Sequence, residues 1–202
     1  MHEGFCDLCQ AIPGLRAEIR YAGGHNLTGK PLDGYLAPRA LATVEAARAL
    51  ATAYGEARRL GYGMLVYDAY RPQKAVDAFV RWSLEPEDGS TKAEFYPELD
   101  KTELFPQGYI ARRSGHSRGS TIDLTLTDAS GAPIDMGTAF DFMSRRSHHN
   151  AADLTGQQTR NRATLCALMA YAGFEAYENE WWHYRLMDEP YPETYFDFDV
   201  AR

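Results

Sequence analysis

Apolar and polar positions along the chain sort into helical and extended stretches. Residues 38–60 place Leu41, Val44, Ala47, Leu50, Ala51 and Tyr54 at helical spacing, then close with Arg58-Arg59 and Gly61, which predicts a helix with a C-terminal stop. Met64-Leu65-Val66-Tyr67 follows as a short buried strand. Pro72 is placed to open a second helix, whose apolar stripe is Ala75, Val76, Phe79 and Val80. Residues 85–113 lose periodicity and carry Pro86, Gly89, Pro97, Pro106 and Gly108, and irregular stretches that long tend to be lids or binding loops. In residues 121–127, Ile122, Leu124 and Leu126 alternate with Asp123 and Thr125, which predicts a half-buried strand with a polar second face. Residues 158–171 read as a third helix through Leu165, Leu168 and Met169, ended by Gly173. Residues 174–177 and 181–186 read as two short strands, and the tail, rich in Pro and aromatics, is expected to wrap the surface. Without regular βαβ alternation, the expectation is an α+β fold, a small mainly antiparallel sheet flanked by helices.

Composition narrows the class. The 202 residues suit a single domain spanning 1–202. An apolar share of 45%, with thirteen Tyr, nine Phe and three Trp, is enough to build a core. Net charge is −7, and the densest basic spots are the isolated pairs Arg58-Arg59, Arg112-Arg113 and Arg145-Arg146, so no nucleic-acid partner is expected. No stretch approaches the roughly eighteen apolar residues of a membrane span, so no membrane partner is expected either. The opening residues lack a basic-then-apolar signal, and three cysteines cannot all pair, so the expected setting is the reducing cytoplasm.

Candidate chemistry gathers in two segments, Ser114 to Asp123 and Glu180 to His183. Zinc accepts imidazole nitrogen and carboxylate oxygen, and catalytic sites leave a fourth position open. His116 precedes the 121–127 strand, Asp123 lies on its polar face, and His183 would come from a neighbouring strand. On a regular strand Glu180 and His183 would face opposite ways, so a bend or bulge is needed if both serve one site. Spacing alone leaves a second reading open, in which the histidines are hydrogen-bonded core or surface groups and Asp123 a turn or edge residue; no HExxH helix is present. Cys6-Asp7-Leu8-Cys9 is a lone CxxC, read as free thiols, and Cys166 as a small core residue. His148-His149 read as structural or supporting groups, and His2 and His25 as surface residues.

The runs Asp68-Ala69-Tyr70-Arg71-Pro72, Ser117 through Thr125, Phe140-Asp141-Phe142-Met143, Arg146-Ser147-His148-His149 and Glu180-Trp181-Trp182-His183-Tyr184 together resemble the VanX-type D-alanyl-D-alanine dipeptidases. Asp188 through Pro192 and Tyr195-Phe196-Asp197-Phe198 extend the resemblance over essentially the whole chain. It implies an α+β fold shared with D,D-carboxypeptidases and the Hedgehog amino-terminal domain. It also implies one zinc per chain on His116, Asp123 and His183, with Glu180 as base and Arg71 beside the scissile group. For a free D,D-dipeptide substrate, Asp141 is the expected acceptor of the amine and Ser114 and Tyr21 the expected donors to the carboxylate, with Trp181 and Trp182 walling the pocket. Such hydrolysis would either contribute to glycopeptide resistance or recycle D-alanine. Two positions depart from the family pattern: Thr121 stands where Ala is usual, and Gly115 where a second Ser is expected. The first is tolerable on a strand, whereas the second removes a hydrogen bond near the substrate. The competing functions are a peptidoglycan D,D-carboxypeptidase or endopeptidase and a non-catalytic zinc-binding interaction module, and presence of both Glu180 and Arg71 argues against the module.

Overall fold

The computed structural model describes residues 2–201. Near the start, β1 (Phe5–Asp7) runs into the single-turn α1 (Leu8–Ala11), and β2 (Arg16–Ala17) follows. β3 (Leu41–Thr43) pairs antiparallel with β1 and leads directly into α2 (Val44–Arg59). The helix therefore begins later than its apolar spacing predicts. Leu41 belongs to the paired strand, and Thr43 caps the helix by accepting the Ala46 N–H at 3.2 Å. Its far end is as expected, with Arg58 and Arg59 in the last turn and Gly61 at φ 87°.

β4 (Gly63–Asp68) comes next, and then α3 (Gln73–Leu84), for which Pro72 is the N-cap. The irregular region holds two single-turn helices, α4 (Lys92–Phe95) and α5 (Lys101–Leu104). They bury Phe95 and Leu104, which ties this loop to the core. β5 (Thr121–Thr127) matches its predicted bounds, but all seven of its residues are buried. The half-exposed strand expected from alternation is thus corrected: β5 is central, its polar face is covered by other parts of the chain, and Asp123 on that face lines a cavity. α6 (Gly156–Tyr171) opens with a reciprocal cap between Thr155 and Gln158. β6 (Phe174–Ala176) and β7 (His183–Leu186) complete the sheet.

The main sheet has the order β2-β4-β5-β7-β6; only the β2–β4 pair is parallel. This is the α+β architecture with a mainly antiparallel sheet. Helices α2 and α6 pack on each other, α2 lying against β4 and α6 against β5 and β6. β7 is shorter than predicted, because Trp181 and Trp182 lie in the turn before it. The tail is pinned rather than loosely wrapped: Val200 is fully buried, and its carbonyl accepts the N–H groups of Leu36 and Ala37, both at 2.9 Å. Phe196 N–H donates to the Ser117 carbonyl at 2.8 Å, so the tail crosses the turn that carries His116. Among the described residues, no helix is long and apolar enough to cross a membrane.

Candidate metal centre and pocket

Sheet register brings the first two groups together, since Asp123 on β5 lies directly opposite His183 on β7. His116 arrives from the 3-10 turn Gly115–Arg118, which ends at Gly119 with φ 83°; a side chain there would also strike the Phe5 ring. His116 Nε2 lies 3.3 Å from Asp123 Oδ1 and 3.3 Å from His183 Nδ1, and His183 Nδ1 lies 3.1 Å from Asp123 Oδ1. Three corners of a tetrahedron around zinc, at ~2.0–2.1 Å from the ion, would stand ~3.3 Å apart. The three atoms fit that triangle.

Hydrogen-bond chemistry points the same way. His116 Nδ1 is 2.7 Å from the Ala69 carbonyl, which can only accept, so this nitrogen carries the proton and Nε2 presents a lone pair. That lone pair faces Asp123 Oδ1, a buried oxygen with no hydrogen-bond partner. Two acceptors held together at this distance suit a cation between them. Burial opposes ionisation of Asp123, but when no metal is bound the positive charge of His116 and His183 in their protonated forms outweighs it and holds the carboxyl well below the usual range.

Glu180 reaches the same spot because the chain bends. Glu180 N–H donates to the Tyr177 carbonyl and His183 N–H to the Glu180 carbonyl, both at 3.2 Å. This tight turn supplies the bend that the sequence demanded and sets Glu180 Oε2 3.4 Å from His183 Nδ1. Burial pushes the Glu180 carboxyl up to about 7, with His183 pulling it down and the charge of Asp123 adding to the rise.

Arg71 follows an irregularity at the end of β4. Its Nε donates to Asp68 Oδ2 at 3.0 Å, and Tyr35 hydroxyl donates to Asp68 Oδ1 at 2.6 Å. The guanidinium lies 4.7 Å from the centre of the Tyr21 ring, with Nη2 3.6 Å from Asp123 Oδ2. Asp68 and Tyr35 were not singled out from sequence; the i,i+3 spacing of Asp68 to Arg71 was the available signal for the first, and Tyr35 offered none.

Asp141 has φ 61°, the one non-glycine residue with positive φ among the described residues. Tyr21 hydroxyl reaches both of its carboxylate oxygens, at 3.0 and 2.8 Å. Tyr21 is therefore engaged with Asp141, and its expected place as a carboxylate donor is corrected to that of a group holding Asp141. Burial drives the Asp141 carboxyl well above its ordinary value. A strained backbone that aims a buried carboxylate is the kind of feature found at working sites.

His116, Asp123, His183, Glu180, Arg71, Asp141 and Tyr21 line one cavity of about 240 Å³, with Asp68 and Tyr35 behind it. Tyr109, Ile110, Ala111 and Arg113 of the irregular region form part of its wall, as do Met143 and Tyr177, none of them singled out from sequence. Ser114 lines it too, its Oγ accepting the His116 N–H at 3.3 Å. Trp182 lines it, but Trp181 does not: its indole N–H is turned to Thr138 Oγ1 at 2.8 Å. The expectation of two tryptophan walls is thus corrected to one wall and one support behind it. The two departures from the family pattern touch each other, since a Cβ built on Gly115 would lie 2.6 Å from Thr121 Oγ1. His148 Nε2 is bonded to Tyr109 hydroxyl at 3.1 Å, and the three cysteines are free thiols.

The sequence was then compared with known proteins. The peptidase M15 family profile, described as D-ala-D-ala dipeptidase, matches residues 1–201. A D-alanyl-D-alanine dipeptidase of Enterococcus faecalis is 48% identical over 202 residues, covering 100% of both chains. One from Streptomyces coelicolor is 48% identical over 198 residues, covering 98% of each chain. One from Enterococcus faecium is 47% identical over 201 residues, covering 99% of this chain and 100% of its own. With a family profile and such relatives matching it from end to end, the chain belongs to the D-Ala-D-Ala dipeptidase family of peptidase M15.

Proposed function

We propose that the protein hydrolyses free D-alanyl-D-alanine to two D-alanines, using one zinc ion held by His116, Asp123 and His183. The observation that carries this reading is the triangle of three donor atoms 3.1–3.3 Å apart with Glu180 beside it. A bound zinc supplies Lewis acidity, which polarises the scissile carbonyl and makes water acidic enough to be deprotonated near neutral pH.

The chain's own groups do the rest. Glu180 takes a proton from the attacking water at a carboxylate oxygen and returns it to the leaving amine. A carboxyl raised to about 7 by burial has a basicity suited to both transfers. Arg71, held by Asp68, offers a guanidinium to the oxyanion that develops on the scissile carbonyl. Asp141, steadied by Tyr21, accepts the free ammonium of the substrate. Ser114 donates to its carboxylate. Trp182 walls the pocket between these groups.

A cavity of about 240 Å³ lies below the ~300–1,000 Å³ typical of drug-sized ligands, which favours a dipeptide over a longer wall peptide. A substrate whose amine is blocked would bury Asp141 with Tyr21 alone and without the ammonium it is placed to accept, and that is costly. We assign the reaction to the cytoplasm, where the free dipeptide is made as a cell-wall precursor. There it either lowers that supply, contributing to glycopeptide resistance, or returns D-alanine to metabolism. The test is to present the zinc-loaded protein with D-Ala-D-Ala, its N-acetylated form and a pentapeptide ending in D-Ala-D-Ala. Cleavage of the free dipeptide alone is expected; preferential cleavage of the pentapeptide would make the protein a carboxypeptidase instead. Zinc binding without any cleavage would favour an interaction module.

A further inference from the structure

Arg162 on α6 is 2% exposed, yet no carboxylate lies within ion-pair distance of it among the described residues. Its guanidinium instead donates to three backbone carbonyls: Nε to Met136 at 2.6 Å, Nη1 to His148 at 2.6 Å and Nη2 to Arg146 at 2.8 Å. A buried charge without a counter-charge is costly, so its retention calls for a use. The carbonyls of Arg146 and His148 belong to the segment around the 3-10 turn Arg145–Ser147, and that turn is clamped in its turn to the one carrying Glu180. Trp181 N–H donates to the Ser147 carbonyl at 3.0 Å, and His149 N–H to the Glu178 carbonyl at 2.9 Å. On its other side, Ser147 hydroxyl donates to the carbonyl of Phe142, the neighbour of Asp141. Neither Arg162 nor Ser147 lines the cavity.

We propose that Arg162 is a positioning residue: through the 145–149 segment it fixes Glu180 on one wall of the pocket and Asp141 on another. The proposal rests on the dipeptidase reading for its catalytic consequence but not for its structural one. The three candidate metal ligands have anchors of their own besides this clamp. Asp123 and His183 are set by the β5–β7 register, and His116 by the turn beneath the tail. Loss of Arg162 therefore moves the base and the ammonium acceptor while leaving the metal in place.

The experiment uses the full-length, zinc-loaded protein as wild type, Arg162→Met and Arg162→Lys, well below the unfolding temperature. Zinc affinity is expected to stay within threefold of wild type in both variants. kcat should fall tenfold or more in Arg162→Met and by an intermediate factor in Arg162→Lys, which keeps the charge and part of the hydrogen bonding. Amide exchange at Trp181 and His149 should speed up tenfold or more in Arg162→Met, with the β4 and β5 amides unchanged. Wild-type kcat and wild-type exchange in Arg162→Met would overturn the proposal. So would a uniform rise in exchange with loss of zinc, which would mark Arg162 as general packing. If Arg162→Met does not fold, Arg162→Lys decides by the same two readouts. If the wild type itself releases no D-alanine, the dipeptidase reading fails, and the exchange comparison still decides the role of Arg162.

Discussion

Replacing Gly115 by Ala tests how the His116 turn is seated on β5. Ordinary contact begins near 3.4 Å, but the new methyl would lie 2.6 Å from Thr121 Oγ1. Thr121 is fully buried in the central strand, so little room exists for it to give way. Overpacking of this kind costs about 1–3 kcal/mol. Loss of glycine's freedom in the unfolded chain returns about 0.4–1 kcal/mol, since Gly115 does not sit at positive φ. The net expectation is a loss of about 1–2 kcal/mol, or a Tm lower by roughly 2–8 °C for a chain of this size. Thr121→Ala alone gives up a buried methyl, worth about 1 kcal/mol, and removes a buried hydroxyl without a hydrogen-bond partner, a cost of about 1–3 kcal/mol in itself, so the two largely offset and the variant should lie within about 0.5 kcal/mol of wild type. In the double variant the clash is gone, and stability should return to within about 0.5 kcal/mol of wild type. The coupling read from the four proteins should then be at least about 1 kcal/mol. Urea unfolding of the zinc-loaded proteins measures it, with kcat/KM as a parallel readout of the His116 position. Additive effects, with the double variant no better than Gly115→Ala, would refute the claim that Gly115 is packed directly against Thr121.

Glu180→Gln should lower kcat by roughly 10²–10⁴ while still binding one zinc, as metal analysis of the dialysed protein would show; loss of zinc instead would make Glu180 a ligand. Asp68→Asn should reduce kcat/KM by about tenfold or more, but by less than the ~10²–10³ for outright removal of an oxyanion donor, because Arg71 stays but loses its anionic anchor; unchanged kinetics would remove Asp68 from the account. In metal-free protein, burial favours the neutral form of Glu180 and raises its carboxyl from the ordinary 4.5 to about 7. Stability from this group is thus fully present below about 4.5 and is lost as pH rises through about 7. Urea midpoints in chelator between pH 4.5 and 8 should fall with pH more steeply for wild type than for Glu180→Gln, and equal slopes would contradict the buried, proton-holding carboxyl.

Periodicity was a sound guide wherever burial made it strict. β5 follows its alternation from Thr121 to Thr127, and α6 follows its apolar stripe from just before the predicted start. It misled at residues 41–43, where strand residues happen to continue the helical spacing of α2 and only pairing with β1 distinguishes them. Alternation also could not say what covers the polar face of β5, because the covering comes from distant parts of the chain. Spacing left the convergence of His116, Asp123 and His183 as one of two readings, which the family resemblance then singled out, and it made the bend before His183 legible as a requirement. The supports were not legible. Tyr35 holding Asp68 and Tyr21 holding Asp141 link residues 33 and 120 apart in sequence. Arg162 looked like one more polar residue on α6, and its burial follows from the segment folded over it. Gly115 and Thr121 were each weighed alone, and their contact appears only when the 3-10 turn is laid on the strand.

The most direct test of the central claim is D-alanine release from D-Ala-D-Ala while zinc is titrated into metal-free protein. The account predicts no release without metal and a rate that rises linearly to a plateau at one zinc per chain. A fully zinc-loaded protein that releases no D-alanine would contradict it, as would release that persists undiminished in chelator.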